Sequence, residues 1–344
     1  MKNSSFFKVA GLGVAALSLL AVPLIMYNSN TVENADTVLT VSSWASPKHA
    51  MNASVFPWMN EELKACSGGS LSLKVEYGLA PPPAQYDTVR DGVADLGWMV
   101  HGYTPGKFET TKLAELPGLF GKSESVSAAF QATWEKHLDA ANEAKGVEML
   151  TNFVHGPGMI HTVKPISSFK DLKGMKLRVG GGVANAIGLA LGVAGVNVPA
   201  TKVYETISSG VADGVFFPME TMHAFKVAEI AKHTYRNTDG IYTTSFAIPM
   251  NKDTYDGLSS AHRKCIDDMR GVKMAAKVGS FWDAADDLGM AKGLEAGLVV
   301  TDASDADKAY FKELTAGIEA DVLAAIDGRG VDGKAALAFF KSQL

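Results

Sequence analysis

A twelve-residue pattern occurs twice in the chain and constrains the fold more than any other feature. Tyr86–Gly97 reads YDTVRDGVADLG, and Tyr204–Val215 reads YETISSGVADGV. Each copy predicts a helix that ends at a glycine and leads into a strand. We interpret the copies as equivalent helix–strand units of two similar lobes; the alternative is a coincidence at a common type of junction. Asp95 and Asp213 are interpreted as turn-capping residues.

The chain from Thr37 to the end of the first copy predicts the order β-α-β-α-β. Thr37–Val41 and Leu71–Tyr77 alternate in polarity and predict strands, and Ala94–Val100 predicts a third, mostly buried strand. Helices are predicted between them over Ala50–Cys66 and Gln85–Gly92. This order is typical of a parallel sheet with right-handed crossovers, so the expected fold class is α/β.

A second strand pattern runs from Lys176 to Val179 and ends in three glycines, Gly180–Gly182. Arg178 lies at the C-terminal end of this strand, the edge at which open α/β sheets bind ligands. A guanidinium there can hold a carboxylate through two parallel hydrogen bonds; the alternative is an ion pair with a surface acid. The helix predicted over Val183–Gly192 starts just past the glycines, so its N-terminal amides are expected to face the same region as Arg178.

One later segment predicts a connection between the lobes, and a long helical region follows it. Ile241–Met250 has an extended pattern and is long enough to cross from one lobe to the other. A long helical region is predicted from Ser259 to about Ala296, with a kink or break near Gly289.

Residues 1–35 are expected to lie outside the fold. Lys2 and Lys8 precede the uncharged run Val9–Met26, a combination typical of an export signal. The mature chain is therefore expected to start near Asp36 in the periplasm; an uncleaved membrane anchor is the alternative. No second apolar run of this length follows, so the body of the protein is not expected to cross a membrane.

The chain contains no motif for a cofactor, a metal or a catalytic nucleophile. The P-loop, the G-x-S-x-G sequence and the dinucleotide fingerprint are all missing, and the net charge of −5 argues against nucleic acid. The two cysteines, Cys66 and Cys265, either pair in an oxidising compartment or remain separate thiols. Two lobes with an aromatic cleft and no nucleophile indicate binding rather than catalysis.

Several stretches together resemble one family of transport proteins. DLKGMKLRVGGG (Asp171–Gly182), followed by VNVPATKVYETISSGVADGVFFP (Val196–Pro218), resembles the signature of solute-binding proteins of tripartite ATP-independent periplasmic (TRAP) transporters. The opening WASPKHAMNASVFPWMNEELKACSGGSLSLKVEYG and the element LAELPGLF resemble further parts of that pattern. The likeness covers most of residues 37–290.

The resemblance implies a two-lobed binding protein with a long helix spanning both lobes. We expect residues 36–160 and 240–280 in one lobe, and residues 161–239 and 281–344 in the other. It also implies that Arg178 grips the carboxylate of a ligand, that the partners are the two membrane permease subunits, and that the protein works as a monomer. Ligand-driven closure of the lobes is expected, with Ile241–Met250 as part of the hinge.

The sequence departs from the family pattern at two positions. Phe217 stands where many relatives carry Asn, and Gly158 stands where many dicarboxylate and sialic-acid binders carry a second arginine. A second ligand carboxylate would then be buried without a partner, which costs several kcal/mol. We therefore expect a monocarboxylate with an apolar or aromatic body.

The residues expected to contact this ligand, besides Arg178, are Trp44, Trp98, Tyr103 and Phe217 as an aromatic wall, His155 as a further hydrogen-bonding group, and Gly180 for close backbone approach. Two alternatives stay open. A dicarboxylate or sugar-acid binder would need a second cation, such as Lys48, Lys107 or Arg90, and a sensory binding protein would present its ligand to a receptor instead of a permease.

Overall fold

The structure is a computed structural model that describes residues 36–119 and 121–344. The predicted export segment, residues 1–35, lies outside the described residues. No helix in the described part of the chain combines the length and apolar character needed to span a bilayer.

The described part of the chain contains both strands and α-helices, in mixed order. The strands are β1 (Thr37–Ser43), β2 (Leu71–Tyr77), β3 (Leu96–Gly97), β4 (Met99–Val100), β5 (Val147–Val154), β6 (Gly158–Thr162), β7 (Lys176–Val179), β8 (Ala194–Asn197), β9 (Gly214–Pro218), β10 (His233–Arg236), β11 (Ser245–Asn251) and β12 (Val299–Asp302). The helices are α1 (Phe56–Ser67), α2 (Gln85–Arg90), α3 (Ser123–Thr133), α4 (Gly182–Ala190), α5 (Val203–Ser208), α6 (Thr221–Ala224), α7 (Lys252–Gly257), α8 (Ser260–Met269), α9 (Val272–Glu295), α10 (Asp305–Thr315), α11 (Ile318–Asp327) and α12 (Gly333–Gln343).

In the described part of the chain the strands form two six-stranded mixed sheets, and each sheet contains three parallel strands followed by an antiparallel strand. In the first sheet, β1 lies between β2 and β3 with all three parallel, β11 pairs antiparallel with β3 and β4, and β5 pairs with β11. In the second, β7 lies between β8 and β9 with all three parallel, and β6, β10 and β12 follow. The α/β fold class with two mixed sheets flanked by helices is confirmed. The predicted third strand is divided into β3 and β4, with Trp98 between them.

The repeated sequence pattern occupies equivalent positions in the two sheets. The Asp95 carboxylate accepts the backbone N–H of Thr40 in β1 at 2.7 Å. The Asp213 carboxylate accepts the backbone N–H of Lys176 in β7 at 3.0 Å. Each aspartate therefore joins the third strand of a parallel trio to its central strand, which explains why the same motif recurs.

Two connecting segments run side by side between the sheets. One joins β5 to β6 and the other joins β10 to β11. The Gly158 N–H donates to the Tyr242 carbonyl at 2.8 Å, and the His155 N–H donates to the Thr244 carbonyl at 3.4 Å. The extended segment predicted over Ile241–Met250 thus crosses between the sheets in its first part and forms β11 in its second.

Helix α9 is the lobe-spanning helix that the resemblance implies. Its Asp283 carboxylate accepts the N–H of Ser123, at the start of α3 beside the first sheet, at 2.7 Å. One turn along, the Asp286 carboxylate accepts the N–H of Glu220, just past β9 of the second sheet, at 2.7 Å. One helix therefore holds both sheets through two carboxylates on its surface.

The expected break near Gly289 is wrong. The long helical region divides at Arg270 and Gly271, where Gly271 has a φ of +80°, and Gly289 lies inside α9. A Cβ at Gly289 would lie 2.1 Å from the Met219 carbonyl oxygen. Glycine at this position permits close packing of α9 against the second sheet's loop and does not bend the helix.

The two cysteines form a disulfide. Cys66, at the end of α1, and Cys265, in α8, have their Cα atoms 5.7 Å apart and are separated by 199 residues in the chain. The bond therefore closes a long loop and ties two helices that flank the first sheet. Such a bond persists in an oxidising compartment outside the cytoplasm.

Replacing both Cys66 and Cys265 by Ser should lower the free energy of unfolding by about 2–5 kcal/mol, because the unfolded chain regains the freedom that the cross-link removes. Urea denaturation without reductant measures the difference. Dithiothreitol should destabilise the wild-type protein to a similar extent and leave the double variant unchanged. Equal midpoints for the oxidised wild type and the variant would show that the cross-link adds no stability.

Candidate ligand-binding site

A cavity lies between the two sheets, beyond the C-terminal ends of several strands. Trp44 follows β1, Tyr103 follows β4 and Gly180 follows β7. The cavity volume is about 40 Å³, smaller than the usual range of small-molecule sites. Its lining residues come from both sheets: Trp44, His49, Val100, Tyr103, His155, Gly180, Ala200, Phe217, Pro218, Glu220, Thr221, Phe225, Thr244, Phe246 and Trp282.

The cavity wall is largely aromatic. Trp44 and Phe217 line it, as the sequence analysis expected, and Phe225 packs beside Phe217 with 5.5 Å between ring centroids. Trp98 does not line it. Its ring is fully buried behind that of Trp44, with the two rings stacked 3.9 Å apart, and its indole N–H donates to Ser43. Trp98 therefore packs behind Trp44 and supports the cavity wall. The sequence pattern of a buried strand cannot distinguish such a packing residue from one that contacts a ligand.

Arg178 is buried, with only 2% of its surface exposed. Its Nε donates to the Val198 carbonyl at 2.9 Å, and its Nη2 donates to the Tyr103 hydroxyl at 2.9 Å. The guanidinium carbon lies 4.7 Å from the ring centroid of Phe217, which lines the cavity. The side chain is therefore fixed against the cavity wall by two hydrogen bonds and a cation–π contact.

No acidic partner neutralises this cation. Within residues 36–119 and 121–344, no carboxylate oxygen lies within 4.0 Å of Arg178, and its Nη1 donates to no acceptor. The surface ion pair considered from the sequence is therefore not formed by these residues. Because an unpaired buried charge is costly, the site favours an anion from outside the chain.

Arg178 is not itself among the residues that line the cavity, but Gly180, which lines it, leaves space beside the guanidinium. A Cβ at this position would lie 3.3 Å from Arg178 Nη1 and 3.5 Å from Nη2. Any side chain there would cover the edge of the guanidinium that carries the unused donors. Close approach of a ligand to the Gly180 backbone stays a prediction.

Tyr103 joins the two sheets at the same point. Its hydroxyl oxygen accepts the Arg178 Nη2–H and the backbone N–H of Ala200, each at 2.9 Å. Because both contacts use the oxygen as acceptor, the hydroxyl proton remains available to donate. Tyr103 therefore presents an O–H donor beside the guanidinium.

His155 lines the cavity as a hydrogen-bond acceptor. Its Nδ1 contacts the Gly156 carbonyl, an acceptor, so Nδ1 carries the proton. Burial lowers the pKa of His155 to about 4, so the ring is neutral at pH 7 and Nε2 carries a lone pair. This nitrogen can accept a hydrogen bond from a ligand hydroxyl, but it cannot donate one to a carboxylate.

The start of α4 does not offer its amides to the cavity in the way expected. The Val183 N–H donates to the buried Glu115 carboxylate at 2.8 Å, and the same carboxylate accepts from Ser245 of the first sheet. The preceding glycines permit close approach of the sheets instead: a Cβ at Gly181 would lie 2.4 Å from the Gly102 carbonyl oxygen. The chain's own carboxylate caps this helix.

A ring takes the place of the second arginine of the family pattern. A Cβ at Gly158 would lie 2.2 Å from the Tyr242 ring. The possible substitutes lie elsewhere: Lys48 is exposed, Lys107 lies over the Tyr86 ring and Arg90 pairs with Asp87 and Asp91. None of these cations lines the cavity.

The sequence analysis missed two ionisable residues that line the cavity, His49 and Glu220. His49 Nε2 lies 3.9 Å from Glu220 Oε1, too far for a direct hydrogen bond. His49 Nδ1 accepts the Met51 N–H at 3.2 Å and is therefore unprotonated, which places the proton on Nε2. Burial lowers the pKa of His49 to about 3, so this imidazole is neutral.

Glu220 is a buried carboxyl group that faces His49. Burial, and then the nearby charge of Asp286, raise the pKa of Glu220 well above its ordinary value. Burial also raises the pKa of Asp286 to about 7. No sequence signal marks His49 or Glu220, because each belongs to a loop that only the packing of α9 and the two sheets brings to the cavity. Among the described residues, no group of three or more His, Cys, Asp or Glu side chains is placed to hold a metal ion.

Comparison with known proteins matches this architecture to one family. The family described as "Bacterial extracellular solute-binding protein, family 7" matches residues 41–323. A TRAP periplasmic solute-binding protein from Bordetella bronchiseptica, solved with bound (R)- and (S)-mandelate, is 37% identical with a TM-score of 0.86, covering 89% of this chain and 98% of that one.

Two further solved structures are similar. A marine-metagenome TRAP solute-binding protein in complex with 3-hydroxybenzoate is 33% identical with a TM-score of 0.85, covering 90% of this chain and 98% of that one. A TRAP solute-binding protein from Rhodoferax ferrireducens T118 with copurified benzoate is 27% identical with a TM-score of 0.84, covering 89% and 97%.

The raised pKa of Asp286 predicts how the stability of the fold depends on pH. The folded protein keeps this proton up to about pH 7, whereas the unfolded chain releases it near the ordinary value of 3.8. The native state therefore binds more protons between these values, so the free energy of unfolding contributed by this group falls as pH rises from about 4 to about 7. Asn stays neutral, so Asp286→Asn should gain stability relative to the wild type over this range, by about 1–3 kcal/mol.

Urea denaturation at several pH values between about 4.5 and 8 measures this difference. Asp287→Asn, the same change at an exposed position of the same helix, is the control and should show no comparable trend. A stability difference between Asp286→Asn and wild type that does not change with pH would contradict the assignment.

Proposed function

This chain belongs to family 7 of the bacterial extracellular solute-binding proteins and is a solute-binding protein of the TRAP type, and on that premise we propose that its ligand is an aromatic monocarboxylate. The observation that carries the proposal is the buried guanidinium of Arg178, which has no acidic partner in the described ranges and lies against an aromatic cavity wall. An aromatic acid supplies both the missing charge and a ring for that wall.

The carboxylate is held by donors around Arg178. Nη1 has no acceptor among the described residues, and the Tyr103 hydroxyl retains its proton. Donation from a guanidinium and a hydroxyl to one carboxylate is charge-assisted and directional. Gly180 leaves the space through which the carboxylate reaches these donors.

The ligand's body contacts the aromatic residues of both sheets. Trp44 follows the first sheet's β1, and Phe217 belongs to β9 of the second. A ring between them buries apolar surface on both faces, and aromatic pairs add about 0.5–1.5 kcal/mol beyond area burial. Binding that needs both sheets stabilises the closed arrangement, with the paired crossing segments as the hinge and α9 as a further link.

The relatives support this class of ligand. Proteins that are 37%, 33% and 27% identical were solved with mandelate, 3-hydroxybenzoate and benzoate, all aromatic monocarboxylates. A dicarboxylate fits less well, because Tyr242 fills the space beside Gly158 and, among the described residues, no lysine or arginine other than Arg178 lies beside the residues that line the cavity.

The transport role follows from the family. We propose that the protein acts in the periplasm as a monomer, delivers the acid to the two TRAP membrane subunits, and leaves the ligand chemically unchanged. The disulfide supports an extracytoplasmic location.

Replacing Arg178 by Ala should weaken binding of benzoate by about 2–5 kcal/mol, because the ligand's carboxylate would then be buried without a cation. Isothermal titration calorimetry of the purified protein measures the affinity, and thermal unfolding checks that the variant folds. Arg236→Ala is the matched control. Arg236 lies in the same sheet but pairs with Asp302 at the surface, so its removal should leave the affinity unchanged.

Unchanged benzoate affinity in a folded Arg178→Ala protein would exclude the clamp. Tighter binding of a dicarboxylate such as succinate than of benzoate would contradict the ligand class and would require a second cation at the cavity.

A further inference from the structure

We propose that His49 and Glu220 form a hydroxyl-binding subsite in the cavity, so that the preferred ligand is an aromatic acid that carries a hydroxyl group on its body. This inference rests on the proposed function and deepens it. It assigns a role to two buried polar residues that the carboxylate clamp does not use.

Both side chains have unused hydrogen-bonding capacity at the cavity. Glu220 is only 3% exposed, and its Oε2 has no hydrogen-bond partner in the described ranges. His49 Nδ1 accepts the Met51 N–H, and its Nε2 donates a hydrogen bond to none of the described residues. A buried polar atom without a partner costs about 1–3 kcal/mol, so this pair favours a ligand group that satisfies it.

The neighbouring indole adds a further unused donor. Trp282 lines the cavity, and its ring centroid lies 5.2 Å from that of His49. The buried Trp282 Nε1–H has no acceptor among the described residues. Three side chains with unmatched polar atoms therefore occur together in a wall that is largely aromatic.

This polar group is separated from Arg178 by a row of rings. Arg178 lies over Phe217, Phe217 packs beside Phe225, and Phe225 packs edge-on against His49. Two phenylalanine rings thus stand between the cation and the imidazole. This order of side chains suits a ligand with a carboxylate at one end, an aromatic ring along the phenylalanines and a polar group at the other end.

A hydroxyl matches the subsite better than a charged group does. It can accept from the His49 Nε2–H and share the Glu220 proton or donate to its free oxygen. An ammonium group would meet the His49 proton, and a carboxylate would lie beside the Glu220 and Asp286 acids, where the described residues supply no cation to the wall. A hydroxyl alone satisfies donor and acceptor without adding charge.

The first experiment uses the wild-type protein and pairs of ligands with the same shape. Calorimetry compares 2-, 3- and 4-hydroxybenzoate with the methylbenzoate substituted at the same ring position. At the position that reaches the subsite, the hydroxyl compound should bind about 10-fold more tightly or better, because the methyl group leaves buried donors and acceptors unmatched. No preference at any position would overturn the proposal without any substitution.

Variants then assign the preference to Glu220. Glu220→Met keeps the length of the side chain but removes its hydrogen bonds, so the hydroxyl-to-methyl affinity ratio should fall to about 2-fold or less. Glu220→Gln keeps a neutral donor and acceptor and should retain the preference. Glu143→Gln is the control: this buried carboxylate bonds Thr110 outside the cavity, so its loss should leave the ratio at the wild-type value.

The outcomes separate this inference from the proposed function. Benzoates that bind with dependence on Arg178 but without a hydroxyl preference overturn the subsite alone. A hydroxyl-to-methyl affinity ratio that Glu220→Met leaves unchanged also overturns the subsite. Tighter binding of 3- or 4-(aminomethyl)benzoate than of the hydroxybenzoates would overturn it as well, because it would indicate a site for an ammonium group. Failure of every benzoate to bind would contradict the proposed function together with the subsite.

Discussion

The buried guanidinium of Arg178 is the interaction on which the rest of the site depends. A cation that is 2% exposed and has no carboxylate partner in residues 36–119 and 121–344 needs an anion, and the chain is built to leave room for one. The Val198 carbonyl and the Tyr103 hydroxyl fix the side chain without neutralising it. Gly180 keeps its remaining edge accessible. A charge held this way has a geometry ready for a ligand carboxylate before the ligand arrives.

The two sheets place this charge opposite an aromatic wall because they are copies of one arrangement. Equivalent aspartates, Asp95 and Asp213, hold equivalent strands, so the C-terminal strand ends of the two sheets face one cavity. Helix α9 fixes the side of the cavity that follows β9: its Asp286 accepts the Glu220 N–H, and Gly289 allows close contact with Met219. The same helix that joins the sheets therefore also positions the Glu220 carboxyl group.

Sequence reasoning reached the parts of the site that follow from local pattern. Short stretches of sequence are enough to identify the repeat, the strand that carries Arg178 and the missing second arginine at Gly158. The structure places Trp44, Phe217, Tyr103 and Gly180 around one cavity. Sequence reasoning could not separate Trp98 from Trp44, because burial behind a neighbour is a tertiary property. His49, Glu220 and the disulfide partners of α1 and α8 meet only across long sequence distances, so no local pattern reveals them.

The most direct test of the central claim compares benzoate with benzamide in calorimetry on the wild-type protein. The two molecules have nearly the same shape and ring, and differ in the charge of one group. If the ligand's carboxylate is the counter-ion of Arg178, benzamide should bind about 100-fold more weakly or not at all, since the neutral amide leaves the buried cation unpaired. Affinities within about threefold of each other would show that the cavity recognises only the ring, and the account built on Arg178 would be wrong.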